Sequence, residues 1–282
     1  MFDGVYVCAT VRLELRTWLE AAFLIVPPDS VVTGLTGLRL RGIDIGPRWP
    51  LHLATSAAVR MRRDRLRLSR LQKLPAQERR LAAAAHCFVV ACARLDLVDS
   101  VAIGDWLLRL GHSKHALAEC AAIYRGPGAA SARRAVTYVR ERVESPRESY
   151  LRLMLVLAGL PEPSCNPNLG DDARFIGRAD LAYLTYRLIV EYDGRFHIEV
   201  EENWEDDLDR LDDFADTDWL HYRVTATRLR RPRKIVMRMY QRLRARGYGG
   251  PPPVFGPEWT TLFERTTASD RARISLAGSW QV

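Results

Sequence analysis

Three things are scarce in this chain of 282 residues, and each absence excludes something. Paired cysteines are missing: Cys8, Cys87, Cys92, Cys120 and Cys165 are scattered, odd in number and without a CxxC spacing. Neither a disulfide framework nor a structural zinc site is therefore expected, and the expected compartment is a reducing one. No apolar run approaches the ~20 residues that span a bilayer. The opening MFDGVYVCATVRLE also lacks the basic flank and long apolar core of a signal peptide. The expectation is a cytoplasmic protein with no membrane partner. No internal repeat is visible.

What is present is an apolar content of 48%, enough for a real core, on a length that suits one large domain or two ordinary ones; two are expected. The formal net charge of +8 is unevenly spread. Residues 1–140 hold 21 Lys and Arg against 11 Asp and Glu, whereas residues 141–282 hold 21 against 23. A basic first half admits a polyanion such as nucleic acid as partner, and equally admits a merely solvated Arg-rich surface.

The pattern along the chain divides into three. Residues 1–143 read as a basic α+β and helical domain. They show a strand at Gly4–Val7, a helix around Leu13–Phe23, and a second helix through Leu38 capped by Asp29 or Ser30. A strand follows at Trp49–Ala54, then a strand or hairpin over Val59–Leu71 that exposes Arg60, Arg62, Arg65, Arg67 and Arg70, and helical signals run from Gln77 to about Val143. His86 beside Cys87, and the pair His112 and His115, have no second pair at ligand spacing, so core or surface histidines account for them. Residues 144–247 run helix, strand, strand, helix, strand, helix, which predicts an α/β domain with a covered sheet. Residues 248–282, opening on YGGPPP, read as a linker and a loosely ordered tail.

The chemistry-bearing stretch is RADLAYLTYRLIVEYDGRFH, Arg178 to His197, where acids stand inside apolar runs. Unpaired, a carboxylate there is costly. If Phe175–Leu184 and Arg187–Asp193 form a hairpin around Thr185-Tyr186, partner numbers sum to 371 and Asp180 faces Glu191. Directly opposed residues share a face with Cβ atoms roughly 4.5–5.5 Å apart. Alternation adds Asp193 to that face, while Leu181, Tyr183, Leu188, Val190 and Tyr192 take the other. Clustered carboxylates raise one another's pKa unless a cation joins them. Mg²⁺ or Mn²⁺ is the ion that such oxygens hold while leaving room for water and phosphate. His197 follows the Asp193-Gly194 bend within reach as a general acid or base, or stands as a surface residue beside a plain turn. Ser145-x-x-Glu148 is a capping box at the head of an apolar helix, so Glu148 has a structural reading beside a functional one.

These residues also resemble a family. Glu148 at a helix start, RADLAY, VEYDGRFH, Asp207-x-x-Arg210 and WLHYRVT, in that order over about Glu144 to Leu243, are similar to an endonuclease-like domain-of-unknown-function family related to very-short-patch-repair endonucleases. That family belongs to the PD-(D/E)XK, restriction-endonuclease-like superfamily. The resemblance implies an α/β/α domain with a mixed central sheet and a metal-dependent DNA endonuclease activity. It makes Asp180 and Glu191 the metal-binding acids, places Asp193 where the superfamily usually has lysine, and gives Glu148 and His197 assisting roles. DNA would be gripped by Arg223, Arg230, Arg231, Arg233 and Lys234. Upstream, GVYV and PPDSVVTGLTGLRLRGID are similar to the middle region of AbiEi-like antitoxin proteins. Those proteins carry a winged helix ahead of the GVY segment at which this chain starts. The resemblance therefore also admits a non-catalytic antitoxin or regulator that binds DNA, a toxin or another protein through a degenerate nuclease fold. The chain departs from these relatives in the eleven acids between Glu199 and Asp218, offset only by Arg210, where relatives are more basic. Helical spacing of Trp204, Leu208, Leu211 and Ala215 predicts an amphipathic helix with a solvated acidic face there. Asp218 also replaces the glycine that usually precedes the tryptophan.

Overall fold

The computed structural model describes residues 1–170, 175–193 and 218–265. The chain is of the α/β class and divides into two compact units. The first comprises Met1–Ile103 and His112–Thr137; the second comprises Gly104–Gly111 and the described residues from Tyr138 onward. Among the described residues no helix is long and apolar enough to cross a membrane.

In the first unit, α1 (Leu15–Phe23) buries Trp18, Leu19, Ala21 and Ala22, the single stripe that a helix can turn to a core. That stripe joins Phe2, Val26, Val32, Leu51, Leu53 and Leu66 in one apolar cluster. The sheet beside it has the order β3-β2-β1-β5-β4, built from β1 (Val31–Val32), β2 (Leu51–Thr55), β3 (Leu66–Arg70), β4 (Gln77–Glu78) and β5 (Leu81–Ala82). Every residue of β2 is buried. Helices α2 (Gly34–Arg39), α3 (Ala84–Ala91), the start of α4 (Leu97–Arg109), α5 (Lys114–Ile123) and most of α6 (Ala129–Tyr138) complete the unit.

Several local expectations fail here for identifiable reasons. Residues 4–7 form no strand. Asp29 and Ser30 do not cap the second helix, because β1 intervenes and Thr33 is the N-cap of α2. Asp29 finds other donors: Thr55 Oγ1 at 2.5 Å, Ser56 Oγ at 2.6 Å and the Ser56 N–H at 2.7 Å. The Ser56 and Thr55 hydroxyls hold its carboxyl down to about 2. Only Leu66–Arg70 of the arginine-rich stretch is strand, and Gln77–Ala82 contributes β4 and β5 before the helices begin.

His52, on the fully buried β2, is 6% exposed and its Nδ1 has no hydrogen-bond partner. Burial, and then the charges of Arg94, Arg67 and Arg39, push its imidazole from 6.5 down to about 4. Between those values the unfolded chain binds a proton that the folded chain refuses, so stability falls as pH falls through that window. Urea titrations at pH 7.5 and 5.0 are expected to show a loss of about 2 kcal/mol in the wild type that His52→Gln does not show. An equal pH dependence in both proteins would refute this assignment.

In the second unit a four-stranded sheet of order β11-β10-β9-β6 is formed by β6 (Ser164–Cys165), β9 (Leu181–Tyr183), β10 (Leu188–Asp193) and β11 (Leu220–Thr225). Strands β7 (Asn168–Gly170) and β8 (Phe175–Arg178) form a separate antiparallel ribbon. The β9–β10 and β6–β9 pairs are antiparallel and the β10–β11 pair is parallel, a mixed sheet. Helix α7 (Pro146–Val156) is buried from Glu148 to Leu155, as a nearly apolar sequence requires. The helix Pro232–Ala245 contributes Ile235, Val236, Met239 and Leu243 to the core.

The C-terminal stretch differs from a loosely ordered tail as far as residue 265. Pro257–Thr260 is a helical turn whose Trp259 is 2% exposed and donates its indole N–H to the Met154 carbonyl at 2.9 Å. Phe263 is equally buried and packs edge-on to Tyr150. A buried tryptophan with a satisfied N–H anchors a segment whose glycines and prolines disguise it.

Candidate functional site: the carboxylate face of the second sheet

The hairpin that carries the acids closes through the turn Leu184–Tyr186 and Arg187, which takes the left-handed conformation at φ 45°. Pairing then runs Leu188 with Tyr183, Ile189 with Ala182 and Val190 with Leu181. These numbers sum to the expected 371, although the turn is longer than the Thr185-Tyr186 loop and the first strand is interrupted. β8 ends at Arg178 and pairs with β7, so Asp180 stands just before β9 rather than within a continuous strand. The ladder is continued there by a side chain: the Tyr192 N–H donates to Asp180 Oδ2 at 2.8 Å. The Asp180 carbonyl accepts from the Asn166 N–H, also at 2.8 Å.

The parallel register sets Ile189 beside His221, Glu191 beside Arg223 and Asp193 beside Thr225. Because side chains alternate, Ile189, Glu191 and Asp193 share one face with His221, Arg223 and Thr225. Both acids reach diagonally to the preceding same-face residue of β11. Glu191 Oε2 lies 2.7 Å from His221 Nε2, with both side chains 15% exposed. Asp193 Oδ2 lies 3.5 Å from an Arg223 guanidinium nitrogen. Deeper on this side of the sheet, Leu169, Ala179, Ala182 and Ile189 form a small core with Trp219.

Glu148 approaches from α7. The Ser145 hydroxyl accepts the Glu148 N–H at 3.2 Å, half of a capping box. The return bond is displaced by one residue, for Glu148 Oε2 accepts from the Glu144 N–H at 2.9 Å rather than from Ser145. The same oxygen accepts from the Asn166 side-chain amide at 2.6 Å. Asn166 is itself 4% exposed, sits at φ 43° and gives a second amide bond to the Arg142 carbonyl. Asparagine tolerates that backbone region better than most residues. Burial raises the Glu148 carboxyl above its ordinary value, and the neighbouring charge of Asp180 adds to the rise. Glu148 is thus both cap and neighbour of the acid face.

Two acids close enough to raise one another's proton affinity form a donor set that a small, hard cation satisfies. Mg²⁺ needs only one or two protein carboxylates when water and phosphate complete its shell. Asp180, with one oxygen on the Tyr192 N–H, and Glu191, bonded to His221, are the two carboxylates in question. Among the described residues no group of three or more His, Cys, Asp and Glu side chains is arranged to hold a metal.

The other residues expected at the site separate by place. His197 and the acids from Glu199 to Asp216 lie outside the described residues. Asp218 is described, and it pairs with Arg246 at 2.7 Å and Arg187 at 3.8 Å. Arg230, Arg231 and Lys234 are exposed around the start of the Pro232–Ala245 helix. Arg233 is committed elsewhere: it pairs with Glu264 at 2.6 Å and lies over the rings of Phe255 and Trp259. Its charge helps to pin the C-terminal turn rather than standing free for a phosphate.

Two residues of the site were not singled out in the sequence. His221 carried a usable signal, since it precedes Arg223 by two in a strand and must share its face. Asn166 carried none, because its contact with Glu148 joins a loop to a helix start 18 residues away. No family model, curated protein or solved structure matches this chain.

Proposed function

We propose that the second unit is a metal-dependent DNA endonuclease of the very-short-patch-repair-like type, built on a restriction-endonuclease-like α/β/α domain. The observation that carries this reading is the hairpin register, which sets the Asp180 carboxylate on the Tyr192 N–H beside Glu191 and within electrostatic reach of Glu148. Asp180 and Glu191 would hold Mg²⁺ or Mn²⁺. Bound there, the ion would lower the pKa of a water and offset the charge that grows on a phosphodiester under attack. Asp180 is oriented by a main-chain donor and Glu191 by His221. Glu148 is held at Oε2 by two N–H donors, and its carboxyl, raised by burial, would accept a proton or orient a water. Asp193 and His197 would position water or phosphate, and Arg223, Arg230, Arg231 and Lys234 would contact the DNA backbone.

The test is a supercoiled plasmid incubated with pure protein. Nicking is expected with Mg²⁺ or Mn²⁺ and none with a chelator, and a calorimetric titration should show metal binding. A protein that neither nicks nor binds metal overturns the reading. Asn166→Ala supplies a graded check, with nicking expected to fall roughly 10- to 100-fold as the carboxylate it orients is released; unchanged nicking would remove Asn166 from the site.

A second reading rests on a different observation. Glu191 and Asp193 already have cationic or hydrogen-bonding partners from β11, which is how a domain that has lost its metal would settle its acids. On that reading the chain is a non-catalytic antitoxin or regulator, with DNA or a protein as partner. Asp180→Ala and Glu191→Ala would then leave partner binding intact, and the metal titration would be flat.

A further inference from the structure

The outer strand of the second sheet carries, on the face away from the acids, a group of arginines that no carboxylate among the described residues balances. Among the described residues β11 is an edge strand, bonded to β10 on one side only. Its Tyr222 stands opposite Val190 and points to the face opposite His221 and Arg223. The Arg228 guanidinium lies 5.3 Å from the centre of the Tyr222 ring, and that of Arg242 lies 5.0 Å from it. Each also holds a main-chain carbonyl of the strand: Arg242 Nη1 donates to the His221 carbonyl at 2.7 Å, and Arg228 Nη1 to that of Arg223. Arg238 is exposed one helical turn before Arg242, on the same side of the Pro232–Ala245 helix.

We propose that Arg228 and Arg242, which lie against the Tyr222 ring, and Arg238, whose charge reaches Arg242, form a seat for the sugar-phosphate backbone of DNA. Capping two edge carbonyls explains one nitrogen each on Arg228 and Arg242 and, among the described residues, leaves the rest of each planar fork without a hydrogen-bond acceptor. Among the described residues no carboxylate lies within ion-pair distance of any of the three, whereas Arg223, Arg233 and Arg246 in the same unit all have one. Burial and then the charges of Arg238 and Arg228 lower the proton affinity of Arg242, so the three repel one another as they stand. Concentrated like charge of this kind is relieved by an anion. Two guanidiniums beside one tyrosine ring, with a third charge next to them, suit a chain of phosphates and sugars better than a single small ion.

The location connects the group to the acid face. Tyr222 lies between His221 and Arg223, whose side chains reach Glu191 and Asp193 across the strand. A DNA strand draped over the outer side of β11 would meet the guanidiniums on one side and the carboxylates on the other. The inference rests on the endonuclease reading for its ligand, but its test is separable from it.

Fluorescence anisotropy of a labelled duplex of about 20 base pairs, over a salt series, provides the measurement. The proteins compared are wild type, Arg238→Gln and the Arg228→Gln/Arg238→Gln double variant, each checked for an unchanged circular-dichroism melt. Arg238 has no ion-pair partner among the described residues to lose, so its single variant keeps the test valid if the double variant misfolds. The slope of log affinity against log salt is expected to become shallower by about 0.9 for each arginine removed, with affinity at low salt down roughly 10-fold in the double variant. Unchanged affinity and slope in the arginine variants overturn the seat even if plasmid is nicked. Lost binding in those variants sustains it even if no nicking is found. Displacement of the duplex by inorganic phosphate at equal phosphate concentration also overturns it, since the site would then be one for a small anion.

Discussion

Asp180→Ala is expected to abolish Mg²⁺-dependent nicking while leaving DNA binding intact. Asp180 is where three structural demands meet. Its carbonyl holds the Asn166 N–H, its carboxylate takes the Tyr192 N–H in place of a ladder bond, and its charge reaches Glu148. Truncation to alanine keeps the first and removes the other two. If Asp180 is one of two protein ligands to the ion, the several kcal/mol of charge stabilisation that a metal provides goes with it. At about 1.4 kcal/mol per tenfold, that is a loss on the order of 10²- to 10³-fold or more in rate. Asp180→Asn separates the parts, for its amide oxygen can still accept from Tyr192 while the negative charge is gone. It should therefore melt like the wild type and still fail to nick. Nicking by both variants at the wild-type rate would mean that the activity belongs to a contaminant. A loss of nicking in Asp180→Ala with wild-type activity in Asp180→Asn would mean that the side chain serves the hairpin and not the metal.

How much of this arrangement could be read from the chain depends on whether a feature is local. The face shared by Glu191 and Asp193 followed from alternation, and the parity of the pairing that brings Asp180 to the Tyr192 N–H from one turn, both of which act within about a dozen residues. The register survived even though the turn differed, because Leu184–Arg187 lengthens the loop on both strands equally and leaves the parity of the pairing intact. The partners of those acids were hidden because β11 arrives in parallel from beyond residue 217, and parallel neighbours leave no short-range trace. Capping at Ser145 was legible, but the second half of the box moved to Glu144 once Asn166 claimed the same carboxylate oxygen. In the first unit Asp29 reads as a helix cap until Thr55 and Ser56 arrive from 26 and 27 residues away and displace the local amides. The C-terminal turn fails to announce itself for a related reason. Proline and glycine suggest a linker, while the deciding feature is a pocket for Trp259 made by a helix over 100 residues earlier.

The largest effect on stability is expected at Arg152, which the sequence presents as an interruption in an apolar helix. Its side chain is fully buried, with one nitrogen 3.0 Å from Asp105 Oδ2 and another 2.8 Å from Glu162 Oε1. Asp105, also fully buried, accepts in addition from the Ser149 hydroxyl and the Arg140 N–H, both at 2.7 Å. Arg140 closes the group by pairing with Glu162. Burial raises the Asp105 carboxyl above its ordinary value even with Arg152 opposing the rise. Arg152→Met keeps the apolar stem and removes the charge, leaving Asp105 to bear its desolvation alone. The cost is expected to be about 3–5 kcal/mol by chemical denaturation at pH 7.5. Two further results follow from the physics and distinguish charge from packing. Adding Asp105→Asn retains the acceptor for Arg140 and Ser149 without a charge, so the double variant should recover much of the loss. In the single variant Asp105 should take up a proton on folding, so the deficit relative to wild type should shrink between pH 7.5 and 5. A deficit that is independent of pH and additive with Asp105→Asn would assign the effect to lost packing. The ion pair would then contribute nothing, and the unsatisfied Arg152 Nε would mark a side chain that the core merely tolerates.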